Sequence, residues 1–281
     1  MSFLLRLCLS LLLCTGIFTS LTAQVGWEAG GWVGVANYFG DLNTDFRLDK
    51  IGPAGGAVAR YNFNNRVCLK FSGNYSRLAA DDADSDNVFE QARNLSFRAD
   101  VLDFSSQFEF NFLPYNHGSR DEFFTPYLAL GFNVVNFTPE AELDGVWHEL
   151  QQLGTEGQFS GDEYSSTVAG FLVGGGMKVD LSYRWSLNFE FMLKTPFTDY
   201  LDDVSTVYGD VDEIENLRGP IAAALSDRSV LIEGVNDGQI GRPGRQRGDA
   251  TKSDTYVNFG VGLVYYFGEL RCPEYGSRKR R

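Results

Sequence analysis

Eight stretches of this chain, at 25–38, 52–63, 66–78, 95–113, 124–137, 166–181, 185–194 and 255–267, alternate apolar and polar residues over ten to nineteen positions. Strict alternation puts one chemistry on each face of a β-strand, and these runs exceed the five or six residues usual for a soluble strand. The third shows the pattern most clearly: Val67, Leu69, Phe71 and Tyr75 interleave with Cys68, Lys70, Ser72, Asn74 and Ser76. In the fourth, the apolar residues fall on odd positions (Leu95, Phe97, Ala99, Val101) and then on even ones (Phe104, Phe108, Phe110, Phe112), a switch that implies a bulge near Leu102.

The connections decide the architecture. Those after runs two, four and six are short (64–65, 114–123 and 182–184), whereas those after one, three, five and seven are long. Alternating short turns and long loops on an even number of strands is the plan of an outer-membrane barrel, with both termini on the periplasmic side. A β-sandwich has no need of such long runs or of this bias. The predicted fold is therefore all-β, an eight-stranded antiparallel transmembrane barrel with long extracellular loops. The barrel occupies 24–270, including a long outer loop at 196–252, and a periplasmic basic tail follows at 271–281.

Residues 1–23 have the plan of a secretory signal peptide: Arg6, then an apolar run over 7–18, then Ala23 as the small residue before a mature start at Gln24. That run is shorter than the about 20 residues a spanning helix needs. The remaining 258 residues hold 23 basic and 37 acidic side chains. Such an acidic balance offers no face for nucleic acid, so none is expected as a partner.

Eight strands enclose a lumen about wide enough for side chains to fill. Lys70, Glu109, Lys178, Glu190 and Lys194 lie on the polar parity and are expected to form a paired-charge plug, with an ion pathway as the alternative. Tyr38, Phe39, Tyr61, Phe63, Tyr127 and Phe267, near run ends, suit interfacial aromatic girdles. Asp81, Asp82, Asp84, Asp86 and Glu90 crowd one outer loop without calcium-loop spacing, and are expected to be solvated. In the last loop 221–225 is expected to form a short helix after Pro220, and Arg242, Arg245 and Arg247 either bridge to its acids over the barrel mouth or remain in solvated, disordered chain.

Enzymatic readings find little support. His117 and His148 both fall in connections, with no metal-binding pair and no nucleophile elbow. A lipid-deacylating site built on His148 with Ser160 or Ser165 is the one enzymatic alternative. No cofactor or metal is expected. Cys68 and Cys272 both fall near the periplasmic rim, where an internal disulfide, free thiols, or a bond from Cys272 to another protein are open, with an unpaired Cys68 favoured.

The 28–41 segment ending in Tyr38, Phe39, Gly40 and Asp41, the block RNLSFRADVLDFSSQFEFNFLPY at 93–115, LQQLGTEG at 150–157, TDYLDDVSTVY at 198–208, and Cys272 with Pro273 resemble the PorG family, outer-membrane barrels of the type IX secretion system of Bacteroidota. The resemblance spans nearly all of the mature chain; the long 209–252 insertion and the basic terminus depart from it. It implies a non-enzymatic barrel set in outer-membrane lipid that anchors the periplasmic ring of the PorK lipoprotein and PorN; the barrel itself is expected to be monomeric. Docking is expected on 114–123 and 270–281, through Tyr115, His117, Arg120, Cys272, Arg278, Lys279 and Arg280. The alternative is a structural or adhesion barrel working through loops 138–165 and 196–252.

Overall fold

The computed structural model describes residues 25–234 and 236–269; the proposed signal segment, Cys272 and the basic tail lie outside them. Strands β1 (Gly26–Phe39), β2 (Gly52–Asn62), β3 (Val67–Asp81), β4 (Ser96–Asn111), β5 (Phe124–Leu143), β7 (Thr167–Asp180), β8 (Trp185–Pro196) and β9 (Thr255–Tyr266) form the wall. A short β6 (Val146–Glu149) makes a hairpin with the far end of β5. Every neighbour is antiparallel, and β4 pairs with β5 as well as β3, so the sheet closes on itself into an eight-stranded barrel. Closure pairs the backbone groups that an open edge would leave exposed in hydrocarbon.

The register gives the tilt. A row of directly paired residues that starts at Tyr127 passes Gly176, Glu190, Gly260, Gly34, Ala54, Ser76 and Val101 and returns to β5 at Phe137, ten residues further along. Strands in a barrel with such a stagger incline by about 35–45° to its axis.

The bulge expected near Leu102 is absent. β4 pairs with β3 in unbroken register from Val67↔Phe110 to Asp81↔Ser96, and odd positions face inward throughout. What changes is the chemistry of each face. Outward-facing Phe110, Phe108, Phe104 and Leu102 give way to Asp100 and Arg98, while inward-facing Asn111, Glu109, Gln107, Ser105 and Asp103 give way to Val101, Ala99 and Phe97. β5 inverts likewise, from Leu128, Leu130, Phe132 and Val134 outside to Asn136, Glu140 and Glu142, with Val135 and Phe137 inside. The lower cylinder is thus apolar outside and polar inside, as lipid requires. The upper extension is a small soluble-type core, polar outside and apolar inside.

Over that extension the long loops 40–51, 82–95, 144–166 and 197–254 fold together. Leu42, Leu95, Leu201 and Val204 pack on Ala36, Phe97, Val101, Val135 and Phe137. The loops carry α1 (Val88–Arg93), α2 (Val211–Arg218) and α3 (Pro220–Ser226). α3 is the helix expected after Pro220; α1 and α2 were not anticipated, although Asn87 and Asp210 cap their first turns through their side chains. No helix among the described residues is long and apolar enough to cross a membrane.

Candidate docking site

The short-turn rim closes from within. The 112–123 connection folds back into the mouth, where Tyr115 donates its hydroxyl proton to Asp180 and Gly118 donates its N–H at 3.0 Å to the same carboxylate. His117 stacks on Tyr266 with ring centroids 4.4 Å apart and contacts carboxylates through both ring nitrogens: Nδ1 to Asp180 at 3.0 Å and Nε2 to Glu28 at 2.9 Å. Facing an acceptor on each side, the ring is best satisfied as imidazolium. Burial opposes that charge, but the hydrogen bonds to Asp180 and Glu28 outweigh it and raise the pKa to about 9. Gly118 adopts φ +78°, and a β-carbon there would meet Tyr183 at 2.9 Å, so the fold-back depends on a glycine.

Above this plug the lumen is filled by ion pairs. Arg60 joins Glu28 at 2.6 Å and Glu109 at 2.8 Å, and Lys178 joins Glu109 at 2.6 Å. Lys70 pairs with Glu190, which also accepts from the Tyr127 hydroxyl at 2.7 Å. Higher up, Asp103 meets Lys194 at 3.1 Å and accepts from Asn74 at 2.6 Å and Tyr256 at 3.1 Å. The expected network of Lys70, Glu109, Lys178, Glu190 and Lys194 is therefore present. Glu28 and Arg60 complete it, and their inward parity was the available signal. Asp103 belongs to it too, but the supposed bulge concealed its inward face. Cys68 is a buried free thiol, 3.7 Å from the Lys178 amine.

The opposite mouth is sealed by buried charge. Arg93 binds Asp82 at 2.7 Å, the Arg247 carbonyl at 2.6 Å and the Asp41 carbonyl at 2.8 Å. Arg247 reaches Glu156 at 3.2 Å and the Asp203 carbonyl, and Glu156 also accepts from the Ser205 N–H at 2.8 Å. Asp82 and Glu90 are thus buried structural acids, where solvated ones were expected. Arg247 makes the bridge across the mouth, while Arg242 stays at the surface paired with Asp237. Tyr38 Oη lies 2.6 Å from Asp202 and 2.7 Å from Asp254. Burial pushes both carboxyls well above the usual range, and it raises Asp41 and Asp203 to about 6 and Asp199 to about 7. Among the described residues no group of three or more His, Cys, Asp or Glu is arranged to hold a metal ion.

The residues singled out from sequence separate. Tyr115 and His117 are buried in the mouth with their polar atoms engaged inside it, whereas Arg120 is exposed on the rim. Cys272, Arg278, Lys279 and Arg280 lie outside the described residues. His148 sits on β6 opposite Ala141, and the Ser165 hydroxyl donates to the Thr167 carbonyl. The sequence blocks behind the family resemblance converge instead on the cap, through Tyr38, Asp41, Arg93, Glu156, Asp202 and Asp203.

A family model described as "Domain of unknown function (DUF6089)" matches residues 6–219. Among solved structures, Neisserial surface protein A is similar with 12% identity and a TM-score of 0.43, over 86% of this chain and 97% of that one. OprG of Pseudomonas aeruginosa is similar with 13% identity and a TM-score of 0.40, over 88% and 98%. Ail of Yersinia pestis, solved with the heparin analogue sucrose octasulfate, gives 11% and 0.38, over 87% and 99%. At this level they are likenesses of strand arrangement, and the barrel assignment rests on the pairing above. No curated protein matches.

Proposed function

From the premise that the chain belongs to the DUF6089 family, which carries no assigned activity, we propose that it is a non-enzymatic outer-membrane barrel, a component of the type IX protein secretion system that anchors the PorK/PorN ring. The observation that carries a non-conducting, anchoring role is the lumen: ion pairs fill it, His117 plugs one end and the folded loops close the other. A sealed cylinder works through its rims. In this reading the short-turn rim, where β1 starts and β9 ends, faces the periplasm. It offers Arg120 at the surface and the basic 271–281 segment as contacts, while Tyr115 and His117 act by holding the 112–123 turn in place.

Affinity capture from detergent-solubilised outer membrane, with and without residues 271–281, tests this. Recovery of PorK and PorN with the full-length chain and their loss on truncation supports ring anchoring; no recovery with either removes it. A specific observation favours a second reading: the outer loops form a built cap, closed by Arg93 and Arg247. A structural or adhesion role for that cap predicts that protease shaving of loops 144–166 and 197–254 on intact cells abolishes attachment and spares secretion.

A further inference from the structure

We propose that the 40–51 loop, together with the tip of α1, is an interfacial shelf seated in the outer leaflet, its partner being the lipid surface itself. The register fixes the height of that surface. Because the paired row climbs ten residues in one circuit of eight strands, a level line shifts by a little over one residue per strand. Starting from the last outward apolar residues of β5, β4 and β3, which are Val134, Leu102 and Tyr75, the line reaches β1 near Asn37. Phe39 then stands one outward-facing position higher, roughly 5 Å above the hydrocarbon, within the headgroup zone.

The loop is bound to the outer wall at this height. Outward-facing Asn37 donates to the Arg47 carbonyl at 2.9 Å, and Phe46 stacks on Phe39 with ring centroids 4.8 Å apart at 12°. Thr44 donates to Glu90 of α1 at 2.9 Å, and a cleft of about 590 Å³ between these two segments and residues 246–255 is lined by Phe39, Phe46 and Phe89 together with charged Arg93, Asp249 and Lys252. Leu48 and Ile51 of the same loop and Val88 of α1 are also exposed. Phe46 is 78% exposed, more than Phe132 at 65% or Phe104 at 61%, both of which face lipid in the belt. Surface aromatic residues grouped in the way that Phe39, Phe46 and Phe89 are mark an interaction surface. Its continuity with the belt through Phe39 and Val35 identifies the occupant as lipid. On β3, β4 and β5 the first outward positions above the belt carry the Arg77–Asp100 and Arg98–Glu140 ion pairs instead, and at the β3 end of the loop Lys50 pairs with Asp84 at 2.9 Å. At this level the wall is therefore aromatic at Phe39 and Phe46 and carries paired charge from the β3 end of the loop across β4 and β5.

The inference rests on the membrane placement, and the test separates the two. Nitroxide labels are introduced at Phe46→Cys and Leu48→Cys, with Phe132→Cys as a belt control and Phe159→Cys as an exposed cap control, each also carrying Cys272→Ser. Refolded variants in phosphatidylcholine vesicles are checked for closed-barrel gel migration, and label accessibility to oxygen and to a water-soluble nickel chelate is measured. The expected oxygen-to-nickel ratio at Phe46 and Leu48 is severalfold above that at Phe159 and approaches that at Phe132. A ratio equal to that at Phe159, with Phe132 still shielded, overturns the shelf and leaves the patch to a protein partner. An aqueous reading at Phe132 overturns the membrane placement itself.

Discussion

Tyr38 has one phenolic proton and two carboxyl groups within hydrogen-bonding distance, Asp202 at 2.6 Å and Asp254 at 2.7 Å. Its oxygen can donate to one of them alone, so the other contact requires a carboxyl that carries its own proton. The outer cap is accordingly held by a proton shared within this pair, with Asp202 also accepting from the Val204 N–H and Asp254 from the Leu201 N–H, each at 2.9 Å. Folding raises these pKa values, so the folded cap binds protons that the unfolded loops release above about pH 4. Its stability falls as pH rises, and Asp41 and Asp203, at about 6, with Asp199, at about 7, add to the loss in the same direction. Proteolysis of the 197–254 loop in vesicles is therefore expected to be slower at pH 5 than at pH 7.5. Asp202→Asn mimics the protonated acid, its amide donating to Tyr38, and should flatten that dependence. A variant as pH-sensitive as the parent would count against the shared proton.

At the scale of elements, each strand crosses from lipid to water partway along, and this explains both what the sequence disclosed and what it hid. Eight runs, their order and the short and long connections followed from alternation, because a closed barrel enforces one parity over a whole strand. On β4 the apolar residues change parity at the membrane surface while the register continues, since Phe97 and Val101 face the cap's core and Phe104 and Phe108 face lipid. Sequence alone cannot separate that inversion from a bulge, because both move the apolar residues by one position. The unbroken register makes a distinct prediction. An arginine at outward-facing Phe108, near the middle of the belt, should cost about 2–4 kcal/mol, and one at Leu102, at its upper edge, about 0–1 kcal/mol. Urea unfolding in vesicles measures both, and equal costs would contradict the placement of the surface. The cap's tertiary keys were illegible for another reason. Arg93, Glu156 and Arg247 come from three separate loops, and local pattern carries no information about which distant acid a buried arginine will meet.

For the whole molecule, the question is whether a cylinder so filled can do anything through its lumen. Arg60 is shared between Glu28 and Glu109 near the plugged end, and all three side chains are buried. Removing the shared cation leaves two carboxylates in a site that excludes bulk water, with Lys178 and His117 as the remaining neutralising groups. Breaking a buried pair in this way typically costs about 3–5 kcal/mol, and Arg60→Ala should lower stability to urea by that order. Surface pairs such as Arg77–Asp100 contribute about 0–1 kcal/mol, so Arg77→Ala should be close to neutral. The same interlock predicts the electrical behaviour: purified protein in planar bilayers should show no steady ohmic pore current, because passage would require several ion pairs to open together with both closures. Reproducible open-channel steps from the parent protein would mean that the plug moves as a unit, and the working surfaces would then include the lumen as well as the rims.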